Sequence, residues 1–248
     1  MAALLLGVAT MAGRARALPF EPGEDFVMKV HLLGLPAGDL RVAVGQGQLD
    51  GVSTWPLEMH LKTTGLVGWM YALDESFVSH FDPAANDSLG YDLKDTVHGR
   101  PHEEHARYFG QAAFMRTVLA GRAKIAIRPI LPGAMDMLAA IFRLRSEPLG
   151  GSAVRIPIFT GTKSWFLDAR VIGHERVSTD AGSFPTVVLR CRTFFKGKFA
   201  SDREITVWLS DDARRIPVKI EADFAIGSLD AVLEKFHGGA LAEAERTR

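Results

Sequence analysis

The chain has 248 residues with 29 basic and 29 acidic side chains, 47% hydrophobic residues and one cysteine. Balanced charge excludes a global field of the kind that draws a protein onto nucleic acid, and a lone cysteine excludes an intramolecular disulfide. The length suits one large all-β domain held by its own core.

Residues 2–11 form a short apolar run, and Ala15-Arg16-Ala17 supplies the small-x-small pattern that precedes signal cleavage. Residues 1–17 are therefore expected to be a signal peptide, 18–237 a single β domain and 238–248 a flexible tail. No basic residue precedes the apolar run, so the leader is expected to begin further upstream. No later segment has the length of continuous apolar sequence that a membrane helix needs, so the chain is not expected to span a membrane. The expected location is the periplasm.

After a proline-restricted lead-in, Phe26, Met28, Val30 and Leu32 alternate as a first strand. Gly34-Leu35-Pro36-Ala37-Gly38 reads as a turn, and Leu40, Val42 and Val44 begin the returning strand. Leu57, Met59 and Leu61 mark another strand, Phe77 and Phe81 the one after it. Between them, residues 65–71 are too apolar for an ordinary connection and are read as a short helical turn capping the sheet. Strands are expected over 89–98 and 102–109 with the turn at Gly99-Arg100-Pro101, then over 114–119 and 124–128. One helix is expected over 134–145, where Met137, Leu138, Ile141 and Leu144 share a stripe between Pro132-Gly133 and Pro148. Alternation resumes at Val154, Ile156 and Ile158, passes the turn at Asp180-Ala181-Gly182, and is clearest over 203–236. There Ile205, Val207 and Leu209 share one face, as do Ile216, Val218, Ile220, Ala222 and Phe224. The fold class is all-β with one or two short helices: a curved antiparallel sheet forming a closed or half-open β barrel. A two-layer sandwich is the runner-up.

Six segments, PFEPGE (19–24), LLGLPAGDL (32–40), TTGLVGWMYALDESFVSHFDP (63–83), DMLAAIFRLRSEPL (136–149), AGSFPTVVLR (181–190) and WLSDDARRIPVKIEADFAIGSLDAVL (208–233), occur in that order. In this the chain resembles DUF3108, a bacterial family of exported proteins of unknown function. The resemblance implies an exported all-β protein and supplies no activity or catalytic residues. At the level of fold it implies the open barrel of the periplasmic lipoprotein carriers.

No nucleophile elbow or comparable context is present, so no catalytic residue is assigned and the chain is read as a non-enzyme without a cofactor. Asp211-Asp212 with Arg214-Arg215 reads as turn chemistry. His98, His102 and His105, beside Glu103 and Glu104, are the best metal-like cluster; a hairpin would make His98 and His102 cross-strand neighbours, against the plainer reading of a solvated hairpin tip. Cys191 alternates with Val187 and Leu189 and is read as buried and inert. Trp69, Met70, Tyr71, Phe77, Phe81, Met137, Ile141, Phe142 and Trp165 are candidates to line a cavity for a lipid or acyl chain, against a plain filled core. The expected function is binding of a hydrophobic ligand, a lipid or the acyl chains of a lipoprotein, in envelope biogenesis or maintenance. The alternative is a protein–protein interaction module of the envelope that docks through a strand edge or apolar patch.

Overall fold

The computed structural model describes residues 17–238 except 152, 162, 196, 197, 225 and 226; the side chains of 194–203 and 223–226 are also outside the description. Nearly all of the expected leader and tail thus lies outside the described residues. The elements in chain order are β1 (Asp25–Leu32), β2 (Leu35–Val44), β3 (Gly47–Leu49), β4 (Val52–Thr63), α1 (Gly65–Met70), β5 (Leu73–Asp82), β6 (Asp87–Val97), β7 (Arg100–Phe109), β8 (Ala112–Leu119) and β9 (Arg122–Pro129). They continue with α2 (Met137–Ser146), β10 (Val154–Thr160), β11 (Lys163–Thr179), β12 (Gly182–Phe195), β13 (Lys198–Ser210), β14 (Pro217–Phe224) and β15 (Gly227–His237).

The strands form one antiparallel sheet in the order β10-β11-β12-β13-β14-β15-β1-β2-β4-β5-β6-β7-β8-β9, with β3 beside β4. Almost every neighbour is the next strand in sequence; the long-range join is β15 to β1, where Phe26 faces Phe236 and Val30 faces Ala231. The two ends of the path, β9 and β10, are not paired with each other, so the barrel is half open. The segment before α2 partly covers the edge of β10, as Met135 N–H donates to the Pro157 carbonyl and Phe159 N–H to the Met135 carbonyl. The tip of the β10–β11 hairpin leans across the concave face: Gly161 N–H donates to Tyr91 Oη at 2.9 Å, and Tyr108 Oη donates to the Phe159 carbonyl at 3.3 Å.

The concave face is apolar because alternate strand residues point inward. Phe26 and Met28 of β1, Leu57 of β4, Phe81 of β5, Leu189 of β12, Val207 and Leu209 of β13 and Leu233 of β15 are all buried there with Phe142 and Leu144 of α2. Each such side chain contributes roughly 1.5–3 kcal/mol relative to exposure. α2 begins three residues later than its apolar stripe predicts. Asp136 is its N-cap, accepting from Ala139 N–H, Met135 is captured by β10, and Ala134 N–H turns back to the Leu131 carbonyl. Prolines 132 and 148 still bracket it as the sequence implied.

Two ends of the barrel follow from the meander. The β1–β2, β6–β7 and β8–β9 turns share one end with α1, while α2, the β5–β6 and β13–β14 turns and the lead-in at 17–24 occupy the other. Ser79 of β5 and Ser88 of β6 both donate to Asp136 at 2.7 Å, and Arg143 donates to the Asn86 carbonyl. The ten residues of β5 separate α1 from this end, roughly 30 Å of extended chain.

Candidate functional site

On β1, β2 and β4 the inward-facing residues become more open from the α2 end towards the α1 end. Along β1 the series Phe26, Met28, Val30 is buried and Leu32 is half-buried; along β2, Val44 and Val42 are buried and Leu40 is half-buried. β4 repeats it with Leu57 buried, Met59 and Leu61 half-buried, and on β13 to β15 Ile205, Ile220 and Leu229 are half-buried. α2 therefore plugs one end of the concave face, and the other end is a trough with an apolar wall.

The wall on β5 to β7 is different. Leu61 faces Glu75, Glu75 faces Asp95 and Asp95 faces His102 across neighbouring strands, all on the concave side. His102 Nδ1 lies 3.0 Å from Asp95 Oδ2, and Tyr91 Oη donates to Glu104 Oε2 at 2.9 Å. Burial raises the Glu75 carboxyl above its ordinary value, with the Asp95 charge adding to the effect. Burial likewise pushes the Tyr91 phenol well up, so it is a hydrogen-bond donor near neutral pH. The trough thus pairs a broad apolar lining with a narrow acidic and hydrogen-bonding strip.

The candidate cavity residues do not meet at one place. Phe81 and Phe142 lie in the packed core at the α2 end, where Met137 packs against its margin and Ile141 is half-buried. Phe77 lies in the trough, its ring stacked on Tyr91 at 5.0 Å. Trp69, Met70 and Tyr71 of the α1 segment are exposed, Trp69 by 82%. Trp165 sits on β11, opposite Ile158 of β10. Trp69, Met70 and Tyr71 thus lie at the opposite end of the barrel from Met137, with the length of β5 between them. Alternation identified inward residues; it carried no information about which end of the barrel each would reach.

The three histidines also separate. The hairpin turns at His98-Gly99, both with positive φ, so Val97 faces Arg100 and His102 faces Asp95 instead of His98. A two-residue turn with left-handed residues matches strand twist, and it overrides the Gly-Arg-Pro signal. His102 points into the trough; His105, three residues on, takes the outer face beside Asp92 at 2.8 Å. There, burial would raise the Asp92 carboxyl, but bonds from His80, Arg107 and His105 outweigh it and hold the group well below the usual carboxylate range. Among the described residues no group of three His, Cys, Asp or Glu side chains is arranged to hold a metal.

A second concavity, a cleft of about 800 Å³ between α2 and β10, is lined by Arg143, Glu147, Leu149, Arg155 and Arg215 among others. Its cations are tied into the fold: Arg143 to Glu147, Arg155 to Asp168, and Arg215 to the carbonyls of Arg145 and Glu147. Sequence reasoning missed a buried ion pair nearby. Arg145 donates to Glu24 at 2.9 and 3.2 Å and to the carbonyls of Pro19 and Arg214, with its guanidinium 5.0 Å from the Phe20 and Phe142 rings. Both partners were findable, because Arg145 is seven residues from Leu138 on the buried helix face and Glu24 shares parity with Phe26 and Met28.

The family model for proteins of unknown function DUF3108 matches residues 16–234. The chain belongs to the DUF3108 family. The segment WLSDDARRIPV forms the β13–β14 turn, in which Asp212 Oδ1 accepts from the backbone N–H groups of Arg214 and Arg215. That turn receives the C-terminal end of α2 through the Arg214 carbonyl and Arg215, so two family blocks form one structural joint.

The DUF3108 chain is similar in structure to a β-barrel-like protein of domain of unknown function DUF1849 from Brucella abortus. The TM-score is 0.65 at 11% identity, covering 90% of this chain and 99% of that one. This likeness shows the fold. Looser likenesses are to a protein from Parabacteroides distasonis assigned by inference as a lipoprotein (TM-score 0.35, 12% identity, 89% and 97% covered) and to one from Bacteroides fragilis assigned by inference as exported, with a YmcC-like fold (TM-score 0.33, 10% identity, 89% and 98% covered). No curated protein matches the chain.

Proposed function

We propose that this DUF3108 protein is exported and non-enzymatic, and that it holds an amphipathic, largely apolar ligand in the trough at the α1 end, such as a lipid or the acyl chains of a lipoprotein. The observation that carries the reading is the burial gradient along β1, β2 and β4: Phe26, Met28, Val42, Val44 and Leu57 are buried towards α2, whereas Leu32, Leu40, Met59 and Leu61 are half-open, as are Phe77, Ile205, Ile220 and Leu229 on other strands of the wall. A concave apolar wall with a few convergent polar groups is the usual form of a small-molecule site. The acidic strip at Glu75, Asp95 and Glu104 favours a ligand whose polar end donates hydrogen bonds. Export is supported by the apolar run and the Ala-x-Ala pattern before Leu18.

The test is native mass spectrometry of protein taken from a bacterial envelope, together with uptake of the apolar dye N-phenylnaphthylamine. A co-purifying lipid and saturable dye uptake, both lost in Met59→Arg and Leu61→Arg, are expected. A wild-type protein that carries no lipid and takes up no dye overturns the reading.

A second reading, an envelope interaction module, is favoured by a separate observation. The free strand β9 exposes Ile125 by 63% and Ile127 by 73%, next to exposed Phe114 on β8. An open apolar edge is a template for strand addition. Cross-linking from positions 125 and 127 in envelope extract to one protein, with no lipid retained, supports it over the first.

A further inference from the structure

We infer that the α1 end of the barrel is a docking surface for an anionic phospholipid bilayer. The turns at this end form a connected rim. Thr64 N–H donates to the Ala37 carbonyl, joining α1 to β2, and His98 N–H donates to the Ala72 carbonyl, joining the β6–β7 turn to the end of α1. The Tyr71 and His98 rings meet edge-on at 5.4 Å. Next along, Leu119 at the β8–β9 turn faces His102.

The rim exposes apolar side chains where a soluble end would be polar. Leu33 and Leu35 at the β1–β2 tip, Leu66, Trp69 and Met70 on α1, and Leu119 at the β8–β9 turn are all more than half exposed. Only Val67 of α1 is buried, so its other large side chains serve no core. Trp, Met and Leu presented together on one surface are the residues that enter the boundary between headgroups and acyl chains.

Charge identifies the partner. Residues 32–35, 64–72, 97–100 and 119–122 contain no Asp or Glu, and Arg100 and Arg122, which flank the two hairpin turns, are exposed; the exposed acidic side chains nearest these tips, Asp39 and Asp74, are already paired with Lys29 and with His60 and Lys62. The chain as a whole is neutral, so this rim is a local cationic and apolar surface on a balanced molecule. Apolar insertion with peripheral cations fits a bilayer bearing anionic headgroups; a neutral bilayer would leave the arginines without partners. The surface is distinct from the trough interior and does not require a ligand within it.

The experiment is flotation of the protein, recovered from envelope extract without detergent, with vesicles of phosphatidylglycerol and phosphatidylethanolamine or of phosphatidylcholine alone. Binding to the anionic vesicles is expected, with release at about 0.5 M NaCl, where exposed charges are screened over a few ångströms. Trp69→Ser with Met70→Ser should abolish flotation, and Arg100→Glu and Arg122→Glu should each weaken it roughly fivefold. Brominated lipid should quench tryptophan emission in the wild type and not in Trp69→Phe. All these positions are exposed, and unchanged thermal melts will confirm folding. Absence of wild-type flotation, equal binding to both vesicle types, or flotation indifferent to the rim substitutions overturns the inference. A rim-dependent dimer by light scattering, without vesicle binding, overturns it in favour of a protein interface.

Discussion

Arg145 and Glu24 hold a charge pair inside an aromatic box made by Phe20, Phe26 and Phe142. Removing one partner leaves the other charge buried, so Arg145→Ala should cost about 3–5 kcal/mol, measured as a shift in urea unfolding. The double variant Arg145→Met with Glu24→Leu should recover most of that loss, because no uncompensated charge remains. Asp136 is the second buried anchor. Burial raises its carboxyl above the ordinary 3.8, against bonds from Ala139, Ser79 and Ser88 that lower it. The native state then binds the proton more tightly than the unfolded state, so the contribution of Asp136 is full below pH about 4 and declines as pH rises through its folded value. Asp136→Asn should flatten that slope above pH 4 in urea midpoints while keeping the Ala139 cap. Burial pushes the Cys191 thiol up to about 12, so Ellman's reagent should not modify it at pH 8 until the protein is unfolded. The burial of Cys191 was legible from its alternation with Val187 and Leu189; that of Arg145 was overlooked because a charged residue near a helix end is usually read as solvated.

Strand positions were legible because the period-two pattern survives wherever one face is buried, as over 203–236. Turn positions were legible in part: those at 180–182 and 211–215 lie at the β11–β12 and β13–β14 connections, whereas the tightest turns were harder to place. Leu33-Gly34, Asp50-Gly51, His98-Gly99 and Ala120-Gly121 are all two-residue turns with positive φ at both residues, and two of them, at Leu33 and Ala120, have a first residue that is not a usual left-handed former. At Leu33-Gly34 and His98-Gly99 the nearby Pro36 and Pro101 drew the expected turns downstream. An L-residue in this conformation costs roughly 1–2 kcal/mol, so Ala120→Gly should raise the melting temperature by relieving part of that cost. Gly90 does the opposite job inside a strand. Its φ is +134°, and a Cβ there would sit 2.1 Å from the Ala106 carbonyl oxygen, so β6 and β7 approach too closely for any side chain. Gly90→Ala should unfold the protein at lower urea by more than 1 kcal/mol, because both backbone and contact are violated.

At the scale of the molecule, the all-β class and the half-open curl follow from many short alternating segments, and the plugged end follows from one apolar helix. The trough did not follow, since its position depends on how far α2 reaches along the concave face. The join between β1 and β15 has a further consequence. Asp25 faces His237, so the described chain starts and stops in the middle of the sheet, while the sheet's free edges fall in mid-sequence between β9 and β10. The two halves of the sheet are each nearly all hairpins, and loop closure across about two hundred residues is concentrated in that single seam. A circular permutant that joins His237 to residue 17, keeping the lead-in that carries Phe20 and Glu24, and opens the chain between β9 and α2 would turn the seam into a local connection between neighbouring strands. The contact order of the barrel would fall, and refolding should be faster than in the natural order at similar stability, as stopped-flow fluorescence would register.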